Sequence, residues 1–229
     1  MAESTLSILL DTRRAAKGDQ AGIERRQRAR LGDMVTYARA NSTYYRDLYK
    51  DLPDRVSDAS LLPVTDKKTL MARFDDWVTD AEATLDKARA FAADPARIGD
   101  QFLDRYVLAT TSGTTGTPGV FLIDDRALAV TNAMMLRMLG AWLRPRDVLR
   151  IVRGGARTSL VLATGRHFAS AVAAARLQKS GRVSERLQVL SVHMPLYEIV
   201  AALNRFQPAV VAPYASVAAC SPTSRPQAG

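Results

Sequence analysis

The chain has 229 residues, 47% of them hydrophobic and 24% charged, which is the balance of a globular protein able to bury a sizeable core. No apolar run reaches the roughly 18 to 20 residues of a membrane span. The single cysteine, Cys220, excludes an internal disulfide framework and a cysteine-based zinc site. A net charge of +9 suits anionic partners of some kind, from nucleic acid to small phosphorylated molecules.

The first residues carry a short apolar patch from Leu6 to Leu10, with no basic region before it and polar residues after it. That is not the layout of a signal peptide, and a cytoplasmic protein is expected. Residues 20 to 50 read as a long helix with a break near "ANSTYY". Its densest basic cluster, "ERRQRAR", places arginines on the face opposite Ile23, Leu31, Met34, Val35 and Ala38. A solvated helix face is the plain reading. Without interleaved aromatics, nucleic acid is not the expected partner. In "SLLPVTDKKTLMARFDDWV", Thr65 is the expected N-cap of a helix with Asp66 in its first turn. "EATLDKARAFAAD" gives another short helix.

The pattern then changes. "DRYVLAT" and "GVFLI" read as strands on either side of "TTSGTTGTPGV", and Asp124 or Asp125 caps a helix from about Arg126 to Leu143. "DVLRIV" reads as a buried strand and "RGGART" as a loop. "RHFASAVAAARLQKSG" is a helix ending at Gly181, "RLQVLSV" a strand, "PLYEIVAALNRFQ" a helix with Pro195 near its start, and "AVVAPY" a strand. Strands alternating with helices predict an α/β fold: a helical N-terminal segment, residues 1–100, then a mostly parallel sheet covered by helices on both faces, residues 101–219. The quoted loop then falls at the carboxyl end of a strand, where open α/β sheets bind ligands. Residues 220–229, "CSPTSRPQAG", have no periodicity and read as a disordered or out-of-frame tail on the front part of a longer protein, or as a native tail on a small domain.

The glycine–hydroxyl loop carries the functional reading. Successive amides in a Gly-rich turn can line one anion-binding concavity, and glycine lets a ligand approach the main chain. Thr111, Ser112, Thr114 and Thr115 add uncharged donors. The spacing is neither the Walker A pattern nor the dinucleotide fingerprint. A Ser/Thr-rich surface turn is the alternative.

"TSGTTGTPG" resembles the phosphate-binding signature of adenylate-forming enzymes, [ST]-S-G-[ST]-T-G-x-P-K, with Thr111, Ser112, Gly113, Thr114, Thr115, Gly116 and Pro118 in register. Gly119 stands where many members carry lysine. "YYRDLY", "LLPVTDKKTLMARFDDWVTD", "GRHFAS" and "RFQPAVVAPYASVAA" are similar to the phenylacetate–CoA ligase and coenzyme F390 synthetase branch, which often lacks that lysine. The resemblance covers roughly residues 30 to 219.

It implies an AMP-forming acid–CoA ligase. A carboxylate attacks the α-phosphate of ATP, giving an acyl-adenylate and pyrophosphate, and a thiol, usually of coenzyme A, then takes the acyl group. Thr111, Ser112, Gly113, Thr114, Thr115 and Gly116 would bind the ATP phosphates. His167 and Phe168 would line the acyl pocket, or else be an ordinary helix start and core residue. Tyr214 would lie on the nucleotide side or simply pack; His193, Trp77 and Trp142 read as structural. ATP, Mg²⁺ and coenzyme A are implied, but the Mg²⁺ glutamate in Y-G-x-T-E, the ribose aspartate in T-G-D and the adenylation lysine have no counterpart here. The chain alone is therefore expected to be an inactive N-terminal portion. A complementary C-terminal polypeptide, a split enzyme or a non-catalytic nucleotide- or polyphosphate-binding module are the alternatives.

Overall fold

A computed structural model describes residues 5–113, 116, 118–181, 184–215 and 217. The chain divides into two compact units, Met1–Phe91 with Phe102–Met138, and Ala92–Gln101 with Leu139–Gly229. The architecture is α/β, with a helical N-terminal part and a small parallel sheet flanked by helices.

The first unit opens with α1 (Thr5–Ala16) and α2 (Gln20–Asn41). Asp19 caps α2 by accepting from the Gly22 amide at 2.8 Å. Arg26 and Arg30 both reach Asp11 on α1, so part of the basic cluster is spent on holding the two helices together. The break expected near "ANSTYY" falls at Ser42, which ends α2 and caps α3 (Thr43–Leu48). Val35, Tyr49 and Val56 form the core there, with Leu31, Ala38 and Leu48 against them. Helices α4 (Lys67–Ala72), α5 (Phe74–Trp77) and α6 (Leu85–Ala93) follow. Asp66, not Thr65, caps α4, accepting from the Thr69 amide at 2.8 Å. The Thr65 hydroxyl meets the Tyr44 hydroxyl instead, at 2.7 Å. Asp66 takes the cap because it directly precedes the first helical residue, while the Thr65 hydroxyl is engaged by tertiary structure.

Strands β1 (Gln101–Phe102), β2 (Tyr106–Thr110) and β3 (Val120–Ile123) make a three-stranded sheet in that order, and β2 pairs with β3 antiparallel, Thr110 opposite Val120. These strands therefore do not join the parallel sheet as expected. The reason is geometric. A parallel return needs about a dozen residues or more and usually a helix, and residues 111–119 provide neither. Helix α7 (Asp125–Trp142) follows, with Asp124 accepting from the Ala127 amide at 2.7 Å.

"DVLRIV" is helical, not a strand: it lies in α8 (Pro145–Arg153). Pro145 occupies the first turn, and the Asp147 carboxylate accepts from the Arg144 amide at 3.0 Å. Val148, Leu149 and Val152 are exposed, which a buried strand would not allow. The strand of this region is β4 (Thr158–Leu162), which begins at the last residue of the expected loop "RGGART". It is followed by α9 (Ala169–Lys179), β5 (Leu187–Ser191), α10 (Leu196–Phe206) and β6 (Val210–Pro213).

The second sheet has the order β5-β4-β6, and β4 pairs parallel with both neighbours. Alternation along β4 and β5 divides its two faces. Leu160, Leu162 and Val189 pack with Ala171 and Ala174 of α9. Val161 and Leu190 pack with Ile199, Ala202 and Leu203 of α10. One helix thus covers each face, as the period of two requires.

Candidate functional site

The loop of residues 111–119 closes the β2–β3 hairpin. Its neck is held twice. The Thr111 amide donates to the Gly119 carbonyl at 3.0 Å, and the Gly119 amide donates to the Thr111 hydroxyl oxygen at 2.8 Å. Inside the loop, the Gly116 amide donates to the Gly113 carbonyl at 2.9 Å, closing a tight turn. Both glycines lie in left-handed conformations, with φ +70° at Gly113 and +112° at Gly116. A Cβ on Gly113 would come within 2.8 Å of the Pro118 ring, so that position is doubly restricted.

Thr111 therefore shapes the neck and Gly116 the turn. Ser112 keeps an exposed hydroxyl beside them. Thr114 and Thr115 lie outside the described residues. Among the described residues of the loop, Ser112 offers a hydroxyl, and Gly113 and Gly116 offer main chain without a Cβ.

Helix α4 supports the base of this loop. Met71 is buried, and its sulfur accepts from the Val120 amide at 3.3 Å. One turn earlier, the stem of Lys67 lies against Gly119, with Cδ 3.1 Å from the position a Cβ there would take. The spacing i, i+4 puts both side chains on one face of α4. No local pattern links this helix to the glycine loop, because Lys67 and Thr111 are more than forty positions apart in the chain.

The first unit also holds a cleft of about 270 Å³ lined by Tyr45, Trp77, Asp80, Tyr106, Leu122 and Asp124. Tyr106 donates to the Asp80 carboxylate there.

His167, Phe168 and Tyr214 belong to the second unit. His167 is buried at 1% exposure. Burial pushes its imidazole below the ordinary 6.5, against the opposite pull of main-chain contacts at Arg97 and Ala92 and of the Asp94 charge. Phe168 precedes α9 and packs against Leu162, Ala171 and Ala174. Tyr214 follows β6, and its hydroxyl meets the Ser170 hydroxyl at 2.8 Å. Ser170 is in the first turn of α9, which follows β4. The pair thus links the segments that follow the carboxyl ends of neighbouring parallel strands β4 and β6. His193 is near the end of β5, its amide donating to the Ser191 hydroxyl at 3.2 Å.

Among the described residues there is no group of three or more His, Cys, Asp or Glu side chains that could hold a metal ion. No helix among them is long and apolar enough to cross a membrane. The fold is of the α/β class, and no family model, curated protein or solved structure matches the chain.

Proposed function

We propose that residues 111–119 hold the β- and γ-phosphates of ATP, as part of an AMP-forming acid–CoA ligase. The observation that carries this reading is the doubly tied neck between Thr111 and Gly119, which presents a glycine-rich, hydroxyl-rich loop at the end of a hairpin. A glycine-rich, hydroxyl-rich loop suits anions because its amides and hydroxyls are uncharged donors and its glycines let a ligand approach the main chain. The motif resemblance supplies the finer part: a carboxylate as second substrate and coenzyme A as acceptor. In that chemistry the loop's task is to fix the leaving pyrophosphate in line and to stabilise its growing charge. Mg²⁺ enters with the nucleotide and supplies charge neutralisation at the phosphates; the chain's own contribution is the oxyanion contacts of Ser112 and the loop main chain.

The sequence has no counterpart of the adenine, ribose and adenylation-lysine motifs, so ligation by this chain depends on a complementary polypeptide. Isothermal titration of the chain with MgATP and with inorganic pyrophosphate tests the binding. Saturable binding that Ser112→Ala weakens by about tenfold supports it. ATP–pyrophosphate exchange appearing only after a complementary polypeptide is added supports the ligase assignment. Tight nucleotide binding with no exchange under any combination favours a binding module. No binding of either ligand at low ionic strength removes the loop from consideration.

A further inference from the structure

We infer that the cleft between α1, α2 and α7 is a binding site for a phosphate monoester, held as its dianion by Arg26, Arg30 and Arg137. None of the residues lining it belongs to the 111–119 loop, and two of its arginines come from the basic cluster "ERRQRAR", which the loop does not use.

The cleft lies wholly within the first unit and has a volume of about 260 Å³. Helical spacing builds its walls. Asp11 and Ala15 stand four positions apart on α1, Arg26 and Arg30 four apart on α2, and Met134 and Arg137 three apart on α7. Polar contacts cross it from both sides. Arg26 and Arg30 of α2 meet the Asp11 carboxylate of α1, Arg30 at 3.3 Å. Arg137 of α7 donates to the Thr12 carbonyl of α1 at 2.6 Å. Asp11 and Thr12 are adjacent, so the three guanidiniums are drawn to the same turn of one helix.

The charges there do not balance. Three guanidiniums share one carboxylate, which leaves the lining with a surplus of two positive charges. The bond from Arg26 outweighs burial and, with the charges of Arg26, Arg30 and Arg14, holds the Asp11 carboxyl below its ordinary 3.8. Asp11 is therefore an anion at neutral pH, and its charge is already counted in that surplus. A phosphate monoester brings about −1.5 to −2 at neutral pH and matches it. A carboxylate or sulfonate brings only one charge. The planar fork of arginine suits phosphate oxygens, and its five N–H donors exceed what the contacts to Asp11 and Thr12 consume. Ala15, Ile23 and Met134 give the cleft an apolar side, so an ester with a small apolar body fits it better than inorganic phosphate does.

The test is calorimetric titration of the full chain with phenyl phosphate, and with benzenesulfonate as a monoanion of the same shape. Co-sedimentation with vesicles of phosphatidylcholine and phosphatidic acid presents the same monoester as a lipid headgroup. Arg30→Gln and Arg137→Gln each remove one guanidinium from a different helix. Arg28→Gln, on α2 but outside the lining, lowers the net charge equally. Phenyl phosphate should bind saturably and benzenesulfonate roughly tenfold more weakly. Arg30→Gln and Arg137→Gln should each lose about tenfold in affinity, with Arg28→Gln within a few-fold of wild type. Thermal melts establish that the variants are folded, and either cleft variant suffices alone. Vesicle binding that these two variants abolish, without binding of phenyl phosphate, keeps the site and assigns it to a headgroup; phenyl phosphate binding without vesicle binding assigns it to a small molecule. Three results overturn the site: no binding of either probe, equal binding of benzenesulfonate, or losses in Arg30→Gln and Arg137→Gln no larger than in Arg28→Gln, which would place the ester elsewhere on the chain.

Discussion

Tyr106 donates its phenolic hydrogen to the Asp80 carboxylate at 2.7 Å, tying the start of β2 to the segment before α6. That bond, with the Glu82 amide, holds the Asp80 carboxyl below its ordinary value. Burial, then the Asp80 bond and charge, raise the Tyr106 phenol to about 12. The signs give two windows. The lowered acid contributes stability that is present above pH 3.8, the ordinary value, and is lost as pH falls through the folded-state value. The raised phenol contributes stability present below pH 10.0 and lost as pH rises through about 12. Tyr106→Phe should cost about 1.5 kcal/mol at neutral pH and flatten the acid limb of stability. Urea denaturation across pH 3 to 7 measures both; an unchanged acid limb would show that the pair contributes nothing to it.

Gly113 and Gly116 separate conformational strain from crowding. Both have positive φ, but a Cβ at Gly116 meets nothing within 4 Å, whereas one at Gly113 meets Pro118 at 2.8 Å. Gly113→Ala should therefore cost more than Gly116→Ala, about 2 kcal/mol against about 1 kcal/mol. Equal losses in denaturant titrations would contradict the loop geometry.

Thr111→Ala removes the acceptor for the Gly119 amide and should cost about 1 kcal/mol of stability. Thr111→Ser keeps that oxygen and should cost little. Because the neck positions the loop, the alanine variant should also bind pyrophosphate more weakly, whereas the serine variant should not. Calorimetry with the two variants side by side decides this.

Burial of His167 makes stability depend on pH through its imidazole. Its depressed value means that the fold favours the neutral ring, so stability is present above 6.5 and is lost as pH falls below it toward the folded-state value. His167→Gln should remove this dependence between pH 6.5 and 5, at the cost of some neutral-pH stability. Wild-type and variant melting temperatures that run parallel over that interval would exclude His167 as its source.

Helices α7, α9 and α10 were legible from their starts or stops at Asp124, Gly181 and Pro195, and α2 from the helical spacing of Leu31, Val35 and Ala38. The sequence misled where two apolar runs stood close together. "DVLRIV" and "TSLVL" are both rich in β-branched and aliphatic residues, and a run of this length suits either state. Pro145 before the first run, with Asp147 two residues later, was the overlooked helix signal; Gly154, Gly155 and the turn at Ala156 then free the second run to become β4. The antiparallel pairing of β2 and β3 was also implicit in loop length. The glycine loop itself was visible as a motif. The approach of the Lys67 stem to Gly119 was not, since it depends on where α4 docks, which no local pattern encodes.

Strand β6 has β4 on one side and forms one border of its sheet. Val211, at 45% exposure, lies on it, and Pro213 ends it without an N–H to offer. An incoming chain could thus zip along only a few positions before the ladder lost a donor. The proline works as a built-in brake on self-association: samples held at high concentration should tolerate crowding better than the exposed valine alone would suggest, and exchanging that ring for an ordinary residue would release the brake.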